Sequence, residues 1–182
     1  TPQPFVKDLL SDADPTDLRK SDFEIRGCAL GRGFPVVCDM CMGSALHSDG
    51  TPCAGASNVD GATIDRLTHR KRVTEYPDLA TSPQIEYLVL ACEEGGRWGP
   101  DQHRLLRSLV RTKVASIHPL LRRRASLAYT RRWWGILSIG AQTVAADCIL
   151  GRESPVPAPT SAMPVAFVLP LIDIGTEPSR MR

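Results

Sequence analysis

Three residues stand where their chemistry is out of place for a folded core. Asp39 sits inside the apolar run FPVVCDMCM, and Glu93 ends the apolar run IEYLVLACE. Lys71 falls with Ile64 and Leu67 at i, i+3, i+7, on the apolar face of a helical stretch. A further acid, Asp22 or Glu24, stands at the mouth of an earlier run, SDFEIRG. A carboxylate near a core takes up a proton or finds a cation. Several brought together repel, and a divalent metal with a preference for oxygen, Mg²⁺ or Mn²⁺, is the usual means of keeping them ionised. A lysine beside such a cluster can orient an attacking water or stabilise charge developing on a phosphoryl group. Arg72, the next residue, can supply charge but not proton transfer. Taken singly, each position has a plain structural use: a strand Asp bonded to nearby backbone, a solvated strand end, a lysine snorkelling past the core edge. Their joint appearance in strand, helix and strand favours chemistry.

The elements that must position these groups follow from the pattern. DFEIRGCAL and FPVVCDMCM, joined by Gly31-Arg32-Gly33, read as a hairpin. HSDGTPCAGASNVDG is a loop. Asp60 is suited to cap a helix running to about Tyr76 and ended by Pro77. QIEYLVLACE, almost unbroken in apolar character, reads as a central strand covered on both sides. On its parity Glu93 shares the face of Tyr87, Val89 and Ala91, while Glu94 points the other way. Gly99-Pro100-Asp101 starts a further helix, and a last one runs from near Pro119 to about Leu150, with Gly135 and Gly140 as candidate interruptions. The expected fold is α/β (or α+β), a small mixed sheet with flanking helices. The expected organisation is a loose lead-in over 1–20, an α/β core over 21–98, a basic helical region over 99–152 and a Pro-rich, disordered tail over 153–182.

Charge is distributed unevenly. Residues 101–152 hold ten Lys and Arg against Asp101 and Asp147, whereas the first sixty residues are net acidic. Arg104, Arg107 and Arg111 recur at helical spacing, and Arg122, Arg123, Arg124, Arg131 and Arg132 follow, with Trp133 and Trp134 behind them. Such a segment suits a polyanion, DNA or RNA, or else forms a solvated helix surface. Adjacent tryptophans on a helix point about 100° apart, so at least one belongs to a core. Cys38 and Cys41 form a CxxC, but on a strand they face opposite ways, which argues for free thiols over a zinc site. The chain opens on Thr1 without a basic-then-apolar leader, and its late apolar run is short and broken by Pro164 and Pro170. The expectation is therefore a piece of a protein that does not engage a membrane.

The set SDFEIRG, VVCDM, HRKRVTEYPDL and LACEEGGRWG resembles the C-terminal restriction-like endonuclease region of reverse-transcriptase proteins from non-LTR retrotransposons, which is similar to the PD-(D/E)xK nuclease fold. The likeness spans about residues 20–150 and includes GGRWGPDQHRLLRSL and the basic YTRRWW segment. It implies a restriction-endonuclease-like core and metal-dependent nicking of DNA in the nucleus. Asp22, Asp39 and Glu93 would be metal ligands, Asp39, Glu93 and Lys71 catalytic residues, and the arginines would track the phosphate backbone. The family's first acid follows a proline, whereas Asp22-Phe23-Glu24 does not, so either carboxylate could be the counterpart. The family lysine lies four residues before the tyrosine, a position occupied here by Arg72, with Lys71 one earlier. Unlike in the proteins it resembles, no reverse-transcriptase core precedes the likeness within these 182 residues. Two other function classes remain open: a non-catalytic nucleic-acid-binding module using the basic helices, and a zinc-stabilised interaction domain built on the front cysteines.

Overall fold

The structure, a computed structural model, describes residues 3–10 and 13–151; the expected tail over 153–182 lies outside them. The chain runs α1 (Val6–Leu9), β1 (Phe23–Ile25), a 3₁₀ turn (Ala29–Gly31), β2 (Val36–Gly43) and α2 (Ala62–His69). A π-helical turn (Arg70–Glu75), α3 (Pro77–Thr81), β3 (Glu86–Glu93), α4 (Pro100–Ala115) and α5 (Pro119–Ile149) complete it.

The three strands form one mixed sheet in the order β1-β2-β3. β1 pairs antiparallel to β2, as the hairpin reading requires, although it is only three residues long. β2 and β3 are parallel, in register from Val36 opposite Glu86 to Gly43 opposite Glu93. Parallel neighbours need a long crossover, and residues 44–85 supply it through α2, the π turn and α3. Alternation then sorts the sheet's side chains. Val37, Tyr87, Val89 and Ala91 pack against Ile64, Leu67 and Leu79 on one face. Val36, Cys38, Leu88 and Leu90 pack against Leu105 of α4 on the other. β3 is thus buried on both sides, and each fully buried aliphatic side chain contributes roughly 1.5–3 kcal/mol. Gly43 lets α2 cross close over β2: a Cβ there would come within 2.9 Å of the Leu67 side chain, which would have to shift.

Several boundaries differ from expectation. The helix expected over Asp60–Tyr76 is capped by Gly61 rather than Asp60, and it changes from α to π at Arg70. Pro77 opens α3, because proline's missing N–H is harmless in a first helical turn. Gly135 and Gly140 do not interrupt α5. Cys38 and Cys41 sit on opposite faces, in the α4 and α2 layers respectively, so they cannot share a metal. Among the described residues, no helix is long and apolar enough to cross a membrane.

Candidate functional site

β2 brings Asp39 into the α2-side layer at 3% exposure. Extending the antiparallel pairing one step past Phe23–Cys38 puts Asp22 directly opposite Asp39. Asp22 Oδ2 accepts the Met40 amide at 2.6 Å, which fixes it to β2 just beyond the end of β1. Glu24, two residues on, is instead paired with Arg26 at 2.7 Å. Asp22 is therefore the acid beside Asp39.

The π turn delivers Lys71. Its defining hydrogen bond runs from the Tyr76 amide to the Lys71 carbonyl at 2.9 Å, an i→i+5 bond of the type often found at functional positions. Lys71 Nζ lies 2.7 Å from Asp39 Oδ2 and 2.7 Å from Glu75 Oε2, with its side chain only 13% exposed. The other Glu75 oxygen, Oε1, holds Arg70 Nε at 2.9 Å. The Tyr76 ring centroid is 5.4 Å from the Lys71 ammonium, and the Tyr76 hydroxyl donates to the Lys20 carbonyl at 2.8 Å. Tyr87, whose ring is 6.0 Å from that of Tyr76, buries its hydroxyl without a hydrogen-bond partner among the described residues.

Burial raises the Asp39 pKa; the Lys71 ammonium opposes the rise and the charge of Asp22 adds to it. For Lys71, burial pulls the pKa down, but Asp39 and Glu75 together outweigh it, and the net direction is up. The Lys71 hydrogen bond holds the Glu75 carboxyl below its ordinary value. Burial also pushes the neighbouring Cys41 thiol up to about 11, which keeps it neutral and unreactive near pH 7.

Glu93 does not join this group. It shares the sheet face, as parity requires, but the parallel register sets Asp39 opposite Val89 and Glu93 four residues further on, about 13 Å along the strand. There it pairs with Arg97 at 3.5 Å. Together with Arg97, Asp60 and the first turn of α2, it lines a cavity of about 270 Å³. Expecting Asp39, Lys71 and Glu93 in one site is corrected on this point: the third acid near Lys71 is Glu75. Its signal in the sequence is the i, i+4 spacing from Lys71.

Arg72 also takes a different course. It reaches away from the carboxylates to Asp101 Oδ2 at 2.8 Å and to the Tyr87 carbonyl at 3.3 Å. Lys71 is therefore the basic residue of the site.

Among the described residues, no three histidine, cysteine, aspartate or glutamate side chains are grouped so as to hold a metal. A set of Asp22, Asp39 and Glu93 does not fit one ion. What remains is a pair, Asp22 and Asp39, and Mg²⁺ typically takes one or two carboxylates and completes its shell with water and substrate oxygens. Their donors are all oxygen, and Lys71, 2.7 Å from Asp39 Oδ2, opposes the rise in pKa that burial and the nearby Asp22 impose on Asp39.

The arginines of α4 and α5 are all exposed. Arg104 pairs with Glu86 at 2.5 Å, Arg107 donates to the His103 carbonyl and Arg122 to the carbonyls of Ile117 and Ala115. Arg111, Arg123, Arg124, Arg131 and Arg132 extend without a protein partner among the described residues. Trp133 is buried between α4 and α5 with Leu106 and Val110. Trp134 packs on His103 and Trp98, at centroid distances of 4.6 and 6.1 Å. Both tryptophans are thus engaged in packing. No protein-family model matches the sequence, and neither a curated protein nor a solved structure matches it.

Proposed function

We propose that this chain is the endonuclease-like domain of a retroelement reverse-transcriptase protein, acting on DNA in the nucleus and hydrolysing phosphodiester bonds with Mg²⁺ or Mn²⁺. The observation that carries the reading is the meeting of Asp22, Asp39 and Lys71 at the point where β2 outruns β1. Asp22 and Asp39 are the residues that would hold the cation. When bound, it would polarise a phosphoryl oxygen and acidify a water. Asp22 is held for that task by the Met40 amide, and Asp39 by the interior of the strand. Lys71 places a positive charge beside them, where it can stabilise the negative charge that builds on a phosphoryl oxygen as the bond breaks. The open edge of β2 past Cys38 leaves the approach clear of a neighbouring strand among the described residues.

The test is nicking of supercoiled plasmid by the purified chain in Mg²⁺ and in Mn²⁺, with chelator and with Asp39→Asn as controls. Cation-dependent nicking that disappears in the variant supports the proposal. A second reading is favoured by the unpartnered arginines on α4 and α5: a nucleic-acid-binding module without cleavage. Retained DNA binding with no nicking in either cation would select it.

A further inference from the structure

Lys71 carries three N–H donors on a flexible four-carbon stem. Of the acidic and phenolic groups around it (Asp22, Asp39, Glu75, Tyr76 and Tyr87), only Asp39 and Glu75 stand within ion-pair distance of the ammonium. Each lies at 2.7 Å from it. Among the described residues no third oxygen acceptor is paired with Lys71, whose ammonium also lies 5.4 Å from the Tyr76 ring centroid, so one donor is left without an oxygen partner. Glu75 is held in turn. Its two oxygens are divided between Lys71 and Arg70, and the π turn that widens the helix between Lys71 and Tyr76 contains all three residues.

We propose that Glu75 is a positioning residue: anchored by Arg70, it grips the Lys71 ammonium and fixes it against Asp39, so that the remaining Lys71 donor is presented to a phosphoryl oxygen of the substrate. This rests on the endonuclease reading for its substrate, but the restraint on Lys71 stands on the geometry alone. With Asp39 as the sole anchor, a long side chain has many rotamers that satisfy one ion pair. With two anchors on different elements, β2 and the π turn, few remain.

The experiment uses the full chain with Glu75→Ala and Glu75→Gln, each checked for wild-type circular dichroism. In plasmid nicking, Glu75→Ala should lower kcat by about 10²-fold with KM within about twofold, because misplacing a charge by an ångström costs on that order. Glu75→Gln keeps an acceptor for the ammonium and should recover most of the activity. Independently of activity, acylation of Lys71 at fixed pH, followed by peptide mass spectrometry with Lys20 as internal reference, should rise severalfold in Glu75→Ala. Unchanged Lys71 acylation overturns the proposal, as does raised acylation with kcat unaltered, or an effect confined to KM. If the wild-type chain does not nick, the acylation result alone decides the restraint, and the endonuclease reading fails separately.

Discussion

Arg72 donates to Asp101 Oδ2 across 2.8 Å, and the same carboxylate oxygen accepts the Val89 amide at 3.0 Å. Arg72 also donates to the Tyr87 carbonyl. Tyr87 and Val89 turn these backbone groups away from β2, as Ala91 and Glu93 do further along β3 toward Gly99 and Arg97, so the ion pair serves the first part of that edge, where a fourth strand would otherwise bond. Replacing Asp101 leaves the Val89 amide and a half-buried guanidinium without their partner. Asp101→Ala should therefore cost about 2 kcal/mol, measured as the shift in urea-denaturation free energy. Arg72→Ala should cost less, because its side chain is more exposed, and the double variant should fall short of the sum. Additive effects would show that the two residues act separately.

Asp39 and Glu93 lie on one face of the sheet and serve different ends of it. If hydrolysis occurs at the Asp22–Asp39–Lys71 group, Asp39→Asn and Lys71→Met should each lower nicking by about 10²-fold or more. Glu93→Gln should leave it within about threefold, because Glu93 is engaged with Arg97. A fall in Glu93→Gln equal to that in Asp39→Asn, with folding intact, would move the reactive centre to the far end of β3.

Asp39 and Lys71 were legible because each breaks the period of its own element: an acid within an apolar strand, an amine on the apolar face of a helix. The hairpin, the buried β3 and the Gly99-Pro100 helix start were equally local and equally readable. What was hidden depends on hydrogen-bond phase and register. No residue type marks the point where an α-helix becomes a π turn, yet that turn contains Lys71, Arg72 and Glu75 together. Parity identified the face of Glu93 but not its position along the strand. That position depends on how the crossover sets β3 beside β2. The destination of Arg72, an acid 29 residues away, is likewise a tertiary fact.

The carboxyls around Lys71 shift in opposite directions, and their effects on acid stability have opposite signs. Glu75 has a folded-state pKa below its ordinary value, so its contribution is present above about pH 4.5 and is lost as pH falls through the lowered pKa. Asp39 has a raised one, so the folded chain takes up that proton first and gains relative stability on acidification. Glu75→Gln should then flatten the fall in stability between pH 6 and pH 3, by under ~1 kcal/mol for a partly exposed pair. Asp39→Asn should steepen it. Urea titrations at both pH values give the comparison, and parallel curves for all three proteins would contradict these signs.

Arg123, Arg124, Arg131 and Arg132 lie exposed along α5, without partners among the described residues and beyond the layer that α4 forms over the sheet. A helix surface of this kind meets a polyanion by displacing its counterions, so affinity should fall steeply with salt. Replacing these four arginines by glutamine should weaken binding to duplex DNA of any sequence. It should also make the slope of log K against log salt shallower by about 0.9 for each phosphate that is no longer neutralised. Fluorescence anisotropy across a series of salt concentrations measures both quantities. Because Trp133 and Trp134 are committed to packing, substituting Trp134 should lower stability more than it changes the salt slope. A slope unchanged by the four substitutions would remove α5 from the interface and leave the arginines as a solvated helix surface.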